Sequence, residues 1–377
     1  MNSHILDALV IGAGQSGLAA GYHLQRAGLD FSILDSGARV GDVWRQRWDS
    51  LRLFTPARYS ALPGLNFPAP AASFPAKDAF ADYLETYAQH FQLPVRTGIR
   101  VHSVRRAGEV FAVDTSAGQL LARTVVATPG ANSTPQIPGM AQALDPGIMQ
   151  LHSSEYRSPA GLPAGAVVVV GAGTSGAEIA LELAQSRPKG TVYLSGKPTA
   201  HIPDAVFRFA GPLYWRLVNS VLTLDTKTGR KVAAGFLEHG APLIRVSVRE
   251  VERAGAVRLP RLSGAVDGKP VFDVGTADGG THAAETKGPA SVCTIIWATG
   301  YRPVFQWIEG LAVDSHGWPA TIRGVVPKIA GLYFVGLPFQ YALTSGLVGG
   351  VGRDAEYIVE QLKARTVSLA STGALDS

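Results

Sequence analysis

One short phrase occurs twice in this chain, and it constrains the fold more than any other feature of the sequence. The apolar residues 8–11 lead into the turn Gly-Ala-Gly-Gln-Ser-Gly at residues 12–17, and residues 166–170 lead into Gly-Ala-Gly-Thr-Ser-Gly at residues 171–176. A stretch rich in Ala and Leu follows each turn. The pattern predicts a buried strand, a tight turn and a helix at both places.

A strand, a glycine-rich turn and a helix in this order are typical of a dinucleotide-binding site. The first glycine permits the tight turn, the second lets a pyrophosphate approach the backbone, and the third lets the helix pack closely on the strand. The amino terminus of the helix then offers amide donors and a positive dipole to the phosphates. Because the pattern occurs twice, the sequence predicts two dinucleotide sites.

The residue after the second strand of each unit distinguishes the two ligands. Asp35 follows the strand predicted at residues 31–34, and an acid at this position hydrogen-bonds an adenosine ribose. Lys197 closely follows the strand predicted at residues 191–194, where no acid stands. A lysine there can pair with a 2′-phosphate and favours NADPH over NADH. The alternative is that Lys197 is an ordinary surface lysine.

Composition excludes several other classes of protein. The chain of 377 residues is 46% apolar and 17% charged, which is typical of a folded globular protein. Its net charge is only +5, and its basic residues are scattered, so nucleic acid is not an expected partner. The single cysteine, Cys293, excludes a Cys-x-x-Cys redox pair. Neither a membrane-spanning apolar run nor a histidine spacing typical of a metal site occurs, and a cytoplasmic location is expected.

The remaining elements predict how the two units are connected. The sequence favours a meander of three short strands at residues 101–106, 110–115 and 120–127. It also favours two later buried strands, at residues 292–297 and 332–336, and two helices, at residues 206–222 and 344–363. Because strands recur after the second unit, that unit is expected to be inserted into the first domain. The expected fold class is α/β with two Rossmann-like dinucleotide-binding domains, one inserted into the other.

Further motifs lie outside the glycine turns. They are Gly-Asp-Val-Trp at residues 41–44, Arg-Trp-Asp-Ser-Leu at 47–51, His-Ser at 152–153, Ala-Thr-Gly-Tyr at 298–301 and Gly-Leu-Tyr-Phe-Val-Gly at 331–336. With these motifs the chain resembles the bacterial flavin-containing monooxygenases, relatives of the plant indole-pyruvate monooxygenases. The resemblance extends nearly from end to end, from residue 8 to about residue 361.

The resemblance implies two cofactors and a class of reaction. It implies FAD in a discontinuous domain of residues 1–155 and 290–377, and NADPH in an inserted domain of residues 156–289. It also implies that NADPH reduces the flavin, that a C4a-hydroperoxyflavin forms with dioxygen, and that a soft nucleophile such as a sulfide or an amine is oxygenated. Neither a Ser-His-Asp triad nor a metal ligand is expected, and no catalytic residue is assigned, because the cofactor carries the chemistry.

The resemblance and the motifs together name the expected cofactor-binding residues. Those expected at FAD are Gly12, Gly14, Gln15, Ser16, Gly17, Asp35, Val43, Trp44, Arg47, Val101, Ala127, Gln340 and Thr344. Those expected at NADPH are His152, Gly171, Gly173, Thr174, Ser175, Gly176 and Lys197. The resemblance also places the walls of the substrate site at residues 54–67, 206–222 and 339–343.

Several roles stay open at this stage. Arg47 can bridge the FAD phosphates or pair with Asp49, and His152 can contact NADP or cap a linker. Trp44 and Trp48 can wall the flavin or fill the core. The apolar residues of the 206–222 segment, which include Phe207, Phe209, Leu213, Trp215 and Leu217, can form a homodimer or membrane-surface patch, although core packing is the more common outcome.

Three functional classes remain open as well. The first is a monooxygenase. The second is an NADPH-dependent flavin oxidoreductase or oxidase in which oxygen ends as peroxide. The third is a dinucleotide-binding module without turnover.

Overall fold

The protein is described by a computed structural model that covers residues 4–130, 134–239, 242–273 and 288–373. Within these ranges the side chains of residues 204–205, 207–210, 237–239 and 366–373 are not described.

Strands and helices alternate along much of the chain, as expected of an α/β protein. In the described ranges the strands are β1 (Ile5–Ile11), β2 (Phe31–Leu34), β3 (Val95–Arg96), β4 (Val101–Ala107), β5 (Val110–Thr115), β6 (Gly118–Ala127), β7 (Thr134–Pro135), β8 (Met149–His152), β9 (Val167–Val170), β10 (Val192–Ser195), β11 (Val257–Leu259), β12 (Leu262–Val266), β13 (Lys269–Phe272), β14 (Thr294–Trp297), β15 (Tyr301–Arg302) and β16 (Leu332–Phe334). The helices are α1 (Gln15–Arg26), α2 (Asp42–Arg45), α3 (Lys77–His90), α4 (Thr174–Ser186), α5 (Asp204–Val221), α6 (Lys227–His239), α7 (Val248–Arg253) and α8 (Val348–Gly373), with 3₁₀ turns at Ala57–Tyr59, Gly139–Ala143 and Pro159–Gly161.

The strand that leads into the first glycine turn lies in the interior of the first sheet. Its strand order is β3-β2-β1-β6-β5-β4, and β16 also pairs with β6. Strand β1 lies between β2 and β6 and is parallel to both. Strand β6 is long enough to pair antiparallel with β5 near its start and parallel with β16 near its end. The predicted antiparallel meander is therefore confirmed, and it extends the parallel sheet rather than standing apart from it.

In the second sheet, the strand that leads into the second glycine turn is likewise an interior strand. Its order is β11-β10-β9-β14-β8, and its pairings are all parallel. The chain enters this sheet after β7 and leaves it before β15, and these two short strands pair antiparallel with each other. At this crossing the amide of Gln136 donates to the carbonyl of Gly300 at 3.0 Å. The second unit is thus an insertion whose entry and exit lie side by side.

The expected domain limits at residues 156 and 289 do not coincide with the limits of the sheets. Strands β8 and β14 fall in the ranges expected for the first domain, but they pair with each other and complete the second sheet. The chain therefore enters the second sheet at residue 149 and leaves it after residue 297. A four-residue apolar strand such as β14 fits the core of either sheet, so the sequence pattern could not assign it.

The helices confirm some expectations and correct others. Helix α5 confirms the helix predicted at residues 206–222, whereas the sequence analysis predicts neither α6 nor α7. The last helix begins at Val348 and not at Thr344 or Ser345. The reason is local: the Ser345 hydroxyl accepts the amides of Tyr341 and Ala342, each at 3.0 Å, and so closes a turn ahead of the helix.

Alternate residues along the strands build two cores in the first domain. On one face of the sheet, α1, α3 and α8 pack through buried residues such as Leu18, Phe80 and Val351. The opposite face is covered by the segment after β15, which includes Phe305. In the second domain, α4 and α7 pack on the sheet through residues such as Ile179. Both glycine turns therefore lie at the edge of a rigid core.

The apolar segment on α5 divides between the core and the surface. Trp215 is buried, whereas Leu213 and Leu217 are 69% and 51% exposed. The side chains of Phe207 and Phe209 lie outside the described residues. Of the helices in the described ranges, none combines the length and the apolar character needed to cross a bilayer.

Candidate functional site

The first glycine turn lies between the carboxyl end of β1 and the start of α1. Gly12 has a φ of +109°, and a Cβ atom there would lie 2.5 Å from the Thr128 carbonyl oxygen. A Cβ at Gly17 would lie 1.8 Å from the Gly12 carbonyl oxygen. By contrast, a Cβ at Gly14 would meet no atom within 4 Å. Only the middle glycine therefore faces open space, as a backbone that must admit a phosphate requires.

The second glycine turn has nearly the same geometry. Gly171 has a φ of +108°, and a Cβ there would lie 2.3 Å from the Ala298 carbonyl oxygen. A Cβ at Gly176 would lie 1.8 Å from the Gly171 carbonyl oxygen, and Gly173 again has no neighbour within 4 Å. No side chain caps α1 or α4, whose N-cap residues are Gly14 and Gly173. Each helix start can thus receive an anion.

The two residues after each middle glycine occupy the first turn of its helix. Gln15 and Ser16 begin α1, and Thr174 and Ser175 begin α4. Ser16 is buried, and its hydroxyl lies against Gly336: a Cβ at Gly336 would be 2.1 Å from that oxygen. The end of β16 therefore contacts the first turn.

Asp35 ties the end of β2 to the first turn. One carboxylate oxygen accepts the amide of Ala13 at 2.6 Å, and the other accepts the amide of Gly37 at 2.7 Å. The backbone carbonyl of Asp35 accepts the amide of Ile99 at 2.9 Å, so Val101 at the start of β4 lies close to the same corner. A carboxylate has about four acceptor positions, so Asp35 keeps the capacity to bind a ribose hydroxyl.

Two tryptophan indoles near α2 lack a hydrogen-bond partner. Trp44 packs edge-on against Phe80, with ring centroids 4.9 Å apart, and Trp48 is 5% exposed. The Nε1 atoms of both are buried, and neither has an acceptor within the described ranges. Leaving a buried N–H unpaired costs about 1–3 kcal/mol, so these donors favour an acceptor supplied by a bound molecule. Val43, between them and β2, is 52% exposed.

Arg47, Tyr301 and His152 form one cluster where the two domains meet. The Arg47 guanidinium donates to the Tyr301 hydroxyl and lies 5.3 Å from the centre of its ring. The Tyr301 ring packs edge-on against His152 at 4.9 Å. Arg47 forms no ion pair with Asp49 or with any other acid in the part of the chain that is described. Its remaining N–H groups are therefore suited to an anionic ligand.

His152 is fully buried, and both of its ring nitrogens already have protein partners. Nε2 lies 3.0 Å from the Gly300 carbonyl oxygen, and Nδ1 lies 2.9 Å from the Ser154 hydroxyl. Burial lowers the pKa of His152 below its usual value, and this effect exceeds the opposing contribution of Gly300. The imidazole thus orients the return segment at Gly300. Of the two roles left open by the sequence, the geometry favours the linker role.

Lys197 is exposed beside the second glycine turn. A Cβ at its neighbour Gly196 would lie 3.5 Å from the Ala172 amide nitrogen, inside that turn. Arg258 on β11 donates to the Gly196 carbonyl at 2.6 Å and so holds the loop that carries the lysine. Arg245, an alternative partner for a phosphate, is committed to buried Glu178 at 3.2 Å. Lys197 is therefore the better placed of these two cations.

The other expected FAD contacts face protein. Ala127 is fully buried, and its carbonyl accepts the Val335 amide at 3.2 Å. Gln340 is 5% exposed, and its side-chain Oε1 accepts the Leu337 amide at 3.3 Å. The Thr344 hydroxyl donates to Asn219 of α5 at 2.6 Å. These residues support the site, and any direct contact with a ligand has to come mainly from their backbone.

Some residues that hold these parts together were not predicted from the sequence. Thr128 donates to the carbonyls of Ile11 and Gly12, both at 2.9 Å, and so locks the first turn. Asn219 joins α5 to the segment before α8, and Arg258 holds the Lys197 loop. A threonine directly after a parallel strand is a signal for Thr128, but the sequence carries none for the other two because their partners are distant along the chain.

An apolar cavity of about 470 Å³ lies beside residues 339–344. Its walls come mostly from α5 and α6 and include Tyr214, Leu217, Leu222, Val232, Phe236 and Leu343. The structure therefore joins two of the three expected substrate walls. Residues 54–67 do not line this cavity, although the Tyr59 ring packs against Trp215 of α5 in a tilted arrangement with ring centroids 4.8 Å apart.

Comparisons with known proteins identify the family. Residues 9–219, more than half of the chain, match the family described as pyridine nucleotide-disulphide oxidoreductase. An uncharacterized oxidoreductase named CzcO-like, from Geobacillus kaustophilus, is 37% identical over 361 residues and matches 95% of this chain and 99% of its own. The chain belongs to this family. The indole-3-pyruvate monooxygenase YUCCA1 of Oryza sativa is 30% identical over 368 residues, which cover 87% of this chain and 86% of the rice protein.

Solved structures agree with this assignment. The flavin-containing monooxygenase from Stenotrophomonas maltophilia matches with a TM-score of 0.76 at 28% identity and covers 97% of this chain and all of its own. OTEMO in complex with FAD and NADP matches with a TM-score of 0.65 at 16% identity, which supports the fold alone. The family confirms the expected resemblance to flavin-containing monooxygenases, the α/β fold with Rossmann-like domains, the NADPH-dependent flavoprotein monooxygenase class and the cofactors FAD and NADPH.

Proposed function

We propose that this enzyme binds FAD at the first glycine turn and NADPH at the second, and that it oxygenates a small organic soft nucleophile, such as a sulfide or an amine. The observation that carries the proposal is the duplicated geometry of the turns. In each turn the outer glycines are locked against protein atoms, and only Gly14 or Gly173 faces open space. Two sites of the same construction suit two dinucleotides.

The residues of the first domain fit FAD. Gly14 and the start of α1 would receive the pyrophosphate, and Asp35 would accept from the adenosine ribose. The unpaired indole donors of Trp44 and Trp48 supply the hydrogen bonds that a bound acceptor would satisfy. When bound, the flavin supplies the activation of dioxygen, and NADPH supplies the reducing equivalents.

The residues between the domains are suited to hold the second nucleotide against the first. Arg47 belongs to the first domain, and its partner Tyr301 lies on the segment that returns from the second. Gly300, just before Tyr301, is held by buried His152. Lys197 would pair with the 2′-phosphate, and the start of α4 would receive the pyrophosphate.

The apolar cavity beside Leu343 is the proposed substrate site. Among the described residues its walls are almost entirely apolar, and Lys231 is the one charged residue of this part of the chain that lines it. An apolar lining disfavours water next to a bound substrate, and a monooxygenase has to limit water at its activated oxygen because water promotes the loss of that oxygen as peroxide. The lining favours an apolar organic molecule with at most one polar or anionic group.

The amounts of peroxide and product formed per NADPH consumed distinguish the three functional classes. The purified protein is supplied with NADPH and air, and the NADPH consumed, the peroxide formed and the mass of any product are measured with a panel of sulfides and amines. The proposal predicts that peroxide falls and an oxygenated product appears with at least one substrate. Peroxide equal to NADPH with every substrate would indicate an oxidase. A flavin that NADPH does not bleach would indicate a module without turnover.

The family description includes disulphide oxidoreductases, but this chain lacks a redox pair of cysteines. Disulphide reduction of this type uses a pair of cysteines, and Cys293 is the single cysteine of the 377 residues. Cys293 lies next to β14, where Gly165 packs against its sulfur. We therefore assign the reducing equivalents to oxygen chemistry.

A further inference from the structure

Helices α5 and α6 leave an apolar stripe open to solvent. Leu213, Leu217 and Val221 recur every four residues along α5 and are 69%, 51% and 37% exposed. Residues with this spacing lie on one side of a helix. Val232 of α6 is 36% exposed and lines the apolar cavity together with Leu217. The stripe is therefore continuous with the wall of the cavity.

The same two helices carry mostly positive charge. Between residues 211 and 236 the charged residues are Arg216, Lys227, Arg230 and Lys231 against a single acid, Asp225, and all five are exposed. Asp225 already accepts the hydroxyl of Tyr341 at 2.7 Å. Among the described residues Arg216, Lys227 and Lys231 form no ion pair. We call the exposed surface of residues 211–236 the α5–α6 face.

We propose that the α5–α6 face docks on the surface of a membrane that contains anionic lipids. A helix with exposed apolar residues on one side and basic residues beside them lies in the interface of a bilayer, with the apolar residues among the acyl chains and the basic residues at the phosphates. Leu213 and Val221 would enter the interface, and Arg216 and Lys227 would meet the headgroups. The charge of the face is complementary to that of such a membrane.

A second copy of this chain fits the face less well. In a two-fold symmetric dimer the same patch meets itself. The basic residues of both copies, such as Arg216 and Lys227, would then share one interface with Asp225 as the only acid of each patch, and like charges brought together oppose association. The distribution of charge therefore favours an anionic bilayer over a homodimer.

Docking in this orientation has a consequence for the substrate, and this consequence rests on the proposed function of the cavity. The cavity walls Leu217 and Val232 belong to the docking face. An apolar substrate dissolved in the bilayer could then enter the cavity without crossing water. The docking itself does not depend on which reaction the enzyme performs.

The test uses the full-length holoenzyme and sedimentation with vesicles. Vesicles of phosphatidylcholine alone are compared with vesicles of phosphatidylcholine and phosphatidylglycerol, at low and high salt. We expect binding to the anionic vesicles, with little binding to the neutral ones and a loss of binding as salt is raised. Leu213→Ser/Val221→Ser should lower the partition coefficient about tenfold or more, because two apolar anchors are removed.

Matched control variants distinguish binding through the α5–α6 face from non-specific binding to the vesicles. Val266→Ser removes a 61% exposed apolar residue on β12 and should leave binding unchanged. Arg216→Ala/Lys227→Ala should lower binding by about fivefold for each charge removed, whereas Lys269→Ala/Lys328→Ala removes two exposed charges elsewhere and should have a smaller effect. None of the substituted residues lines the cavity. NADPH oxidation in buffer without vesicles reports whether each variant is intact.

Two kinds of result would overturn the proposal. One is the absence of binding to anionic vesicles by the intact holoenzyme, or equal losses in the face variants and their controls. The other is a dimer in sedimentation velocity that Leu213→Ser/Val221→Ser converts to a monomer, which would assign the face to a second copy. Either result leaves the assay of the proposed function, which is run without vesicles, unaffected.

Discussion

Gly14 and Gly17 lie in one turn but have to be glycine for different reasons. A side chain at Gly17 would collide with the Gly12 backbone, whereas one at Gly14 would meet no protein atom within 4 Å. We therefore expect Gly14→Val to fold with a melting temperature close to that of the parent but to be isolated without flavin, because the side chain occupies the path of the pyrophosphate. The measurement is the visible spectrum of the purified protein.

The equivalent glycines provide the control. Gly173→Val should keep the yellow flavin and lose its fast reduction by NADPH, since the open position lies in the second turn. Gly17→Val should fail to give a stable protein. If Gly14→Val were yellow and fully reducible, the first turn would not be the FAD site.

We expect Lys197 to affect the preference for NADPH over NADH and not the stability of the fold. It is exposed and lies next to the loop that Arg258 holds. Because a solvent-exposed charge pair is screened, we expect Lys197→Ala to raise the KM for NADPH only about three- to tenfold and to leave the KM for NADH nearly unchanged. Lys197→Asp should go further and invert the preference. Equal losses with both nucleotides would mean that the lysine supports the loop and not the phosphate.

Buried His152 predicts a dependence of stability on pH. Burial lowers the pKa of His152, so the folded protein keeps this imidazole neutral. Below about pH 6.5 the unfolded chain binds a proton there that the folded chain does not, so the free energy of unfolding falls as the pH drops toward the lowered pKa. His23 behaves in the same direction, also because of burial. Urea unfolding between about pH 7.5 and 5.5 should therefore give a shallower slope for His152→Asn than for the parent, and an identical slope would contradict the assignment.

At the scale of the elements, local patterns were predictable and long-range ones were not. The strands and helices around both glycine turns follow from a few adjacent residues, as do β4, β5 and β6. The capping box of α7 was also readable, because Ser247 and Glu250 have the spacing that defines it, yet the sequence analysis misses this helix. The start of α8 could not be predicted, because the Tyr341 and Ala342 amides donate to the Ser345 hydroxyl and form a separate turn where the first turn of the helix was expected.

Side chains that join elements distant in the sequence could not be found in advance. The sequence places Arg47 and His152 at the site but does not indicate that Tyr301 connects them, because the contact spans 254 residues. It also gives no sign that Asn219 of the inserted domain meets Thr344 of the first. Such pairs depend on the final packing, and a single sequence contains no signal for it.

Asn219 tests how firmly α5 is joined to the first domain. Its side-chain oxygen accepts the hydroxyl of Thr344 at 2.6 Å, and Thr344 is 1% exposed. Asn219→Ala leaves that buried hydroxyl without its acceptor and should lower the free energy of unfolding by about 1–3 kcal/mol. Asn219→Asp keeps an acceptor next to Thr344 and Arg353 and should lose less. Urea denaturation of both variants measures the difference, and equal losses would contradict this role of the amide oxygen.

At the scale of the whole molecule, one chain crossing separates the two domains. The entry strand β7 and the exit strand β15 are paired, and Gln136 hydrogen-bonds Gly300 at 3.0 Å. The chain can therefore be closed directly at this point. Deleting residues 137–299 and joining Gln136 to Gly300 through two glycines would give a two-residue hairpin between strands that already pair.

We expect this shortened protein to fold, to bind FAD and to resist reduction by NADPH. The first sheet keeps its strands and the two cores on its faces, so the flavin turn is intact. Its stability should be lower than that of the parent, because Trp48 and Leu51 lose the partners that bury them in the second domain. Dithionite should still bleach the flavin, which shows that the cofactor is competent. Rapid bleaching by NADPH would place the NADPH site in the first domain. A folded but colourless protein would contradict the assignment of FAD to the first domain.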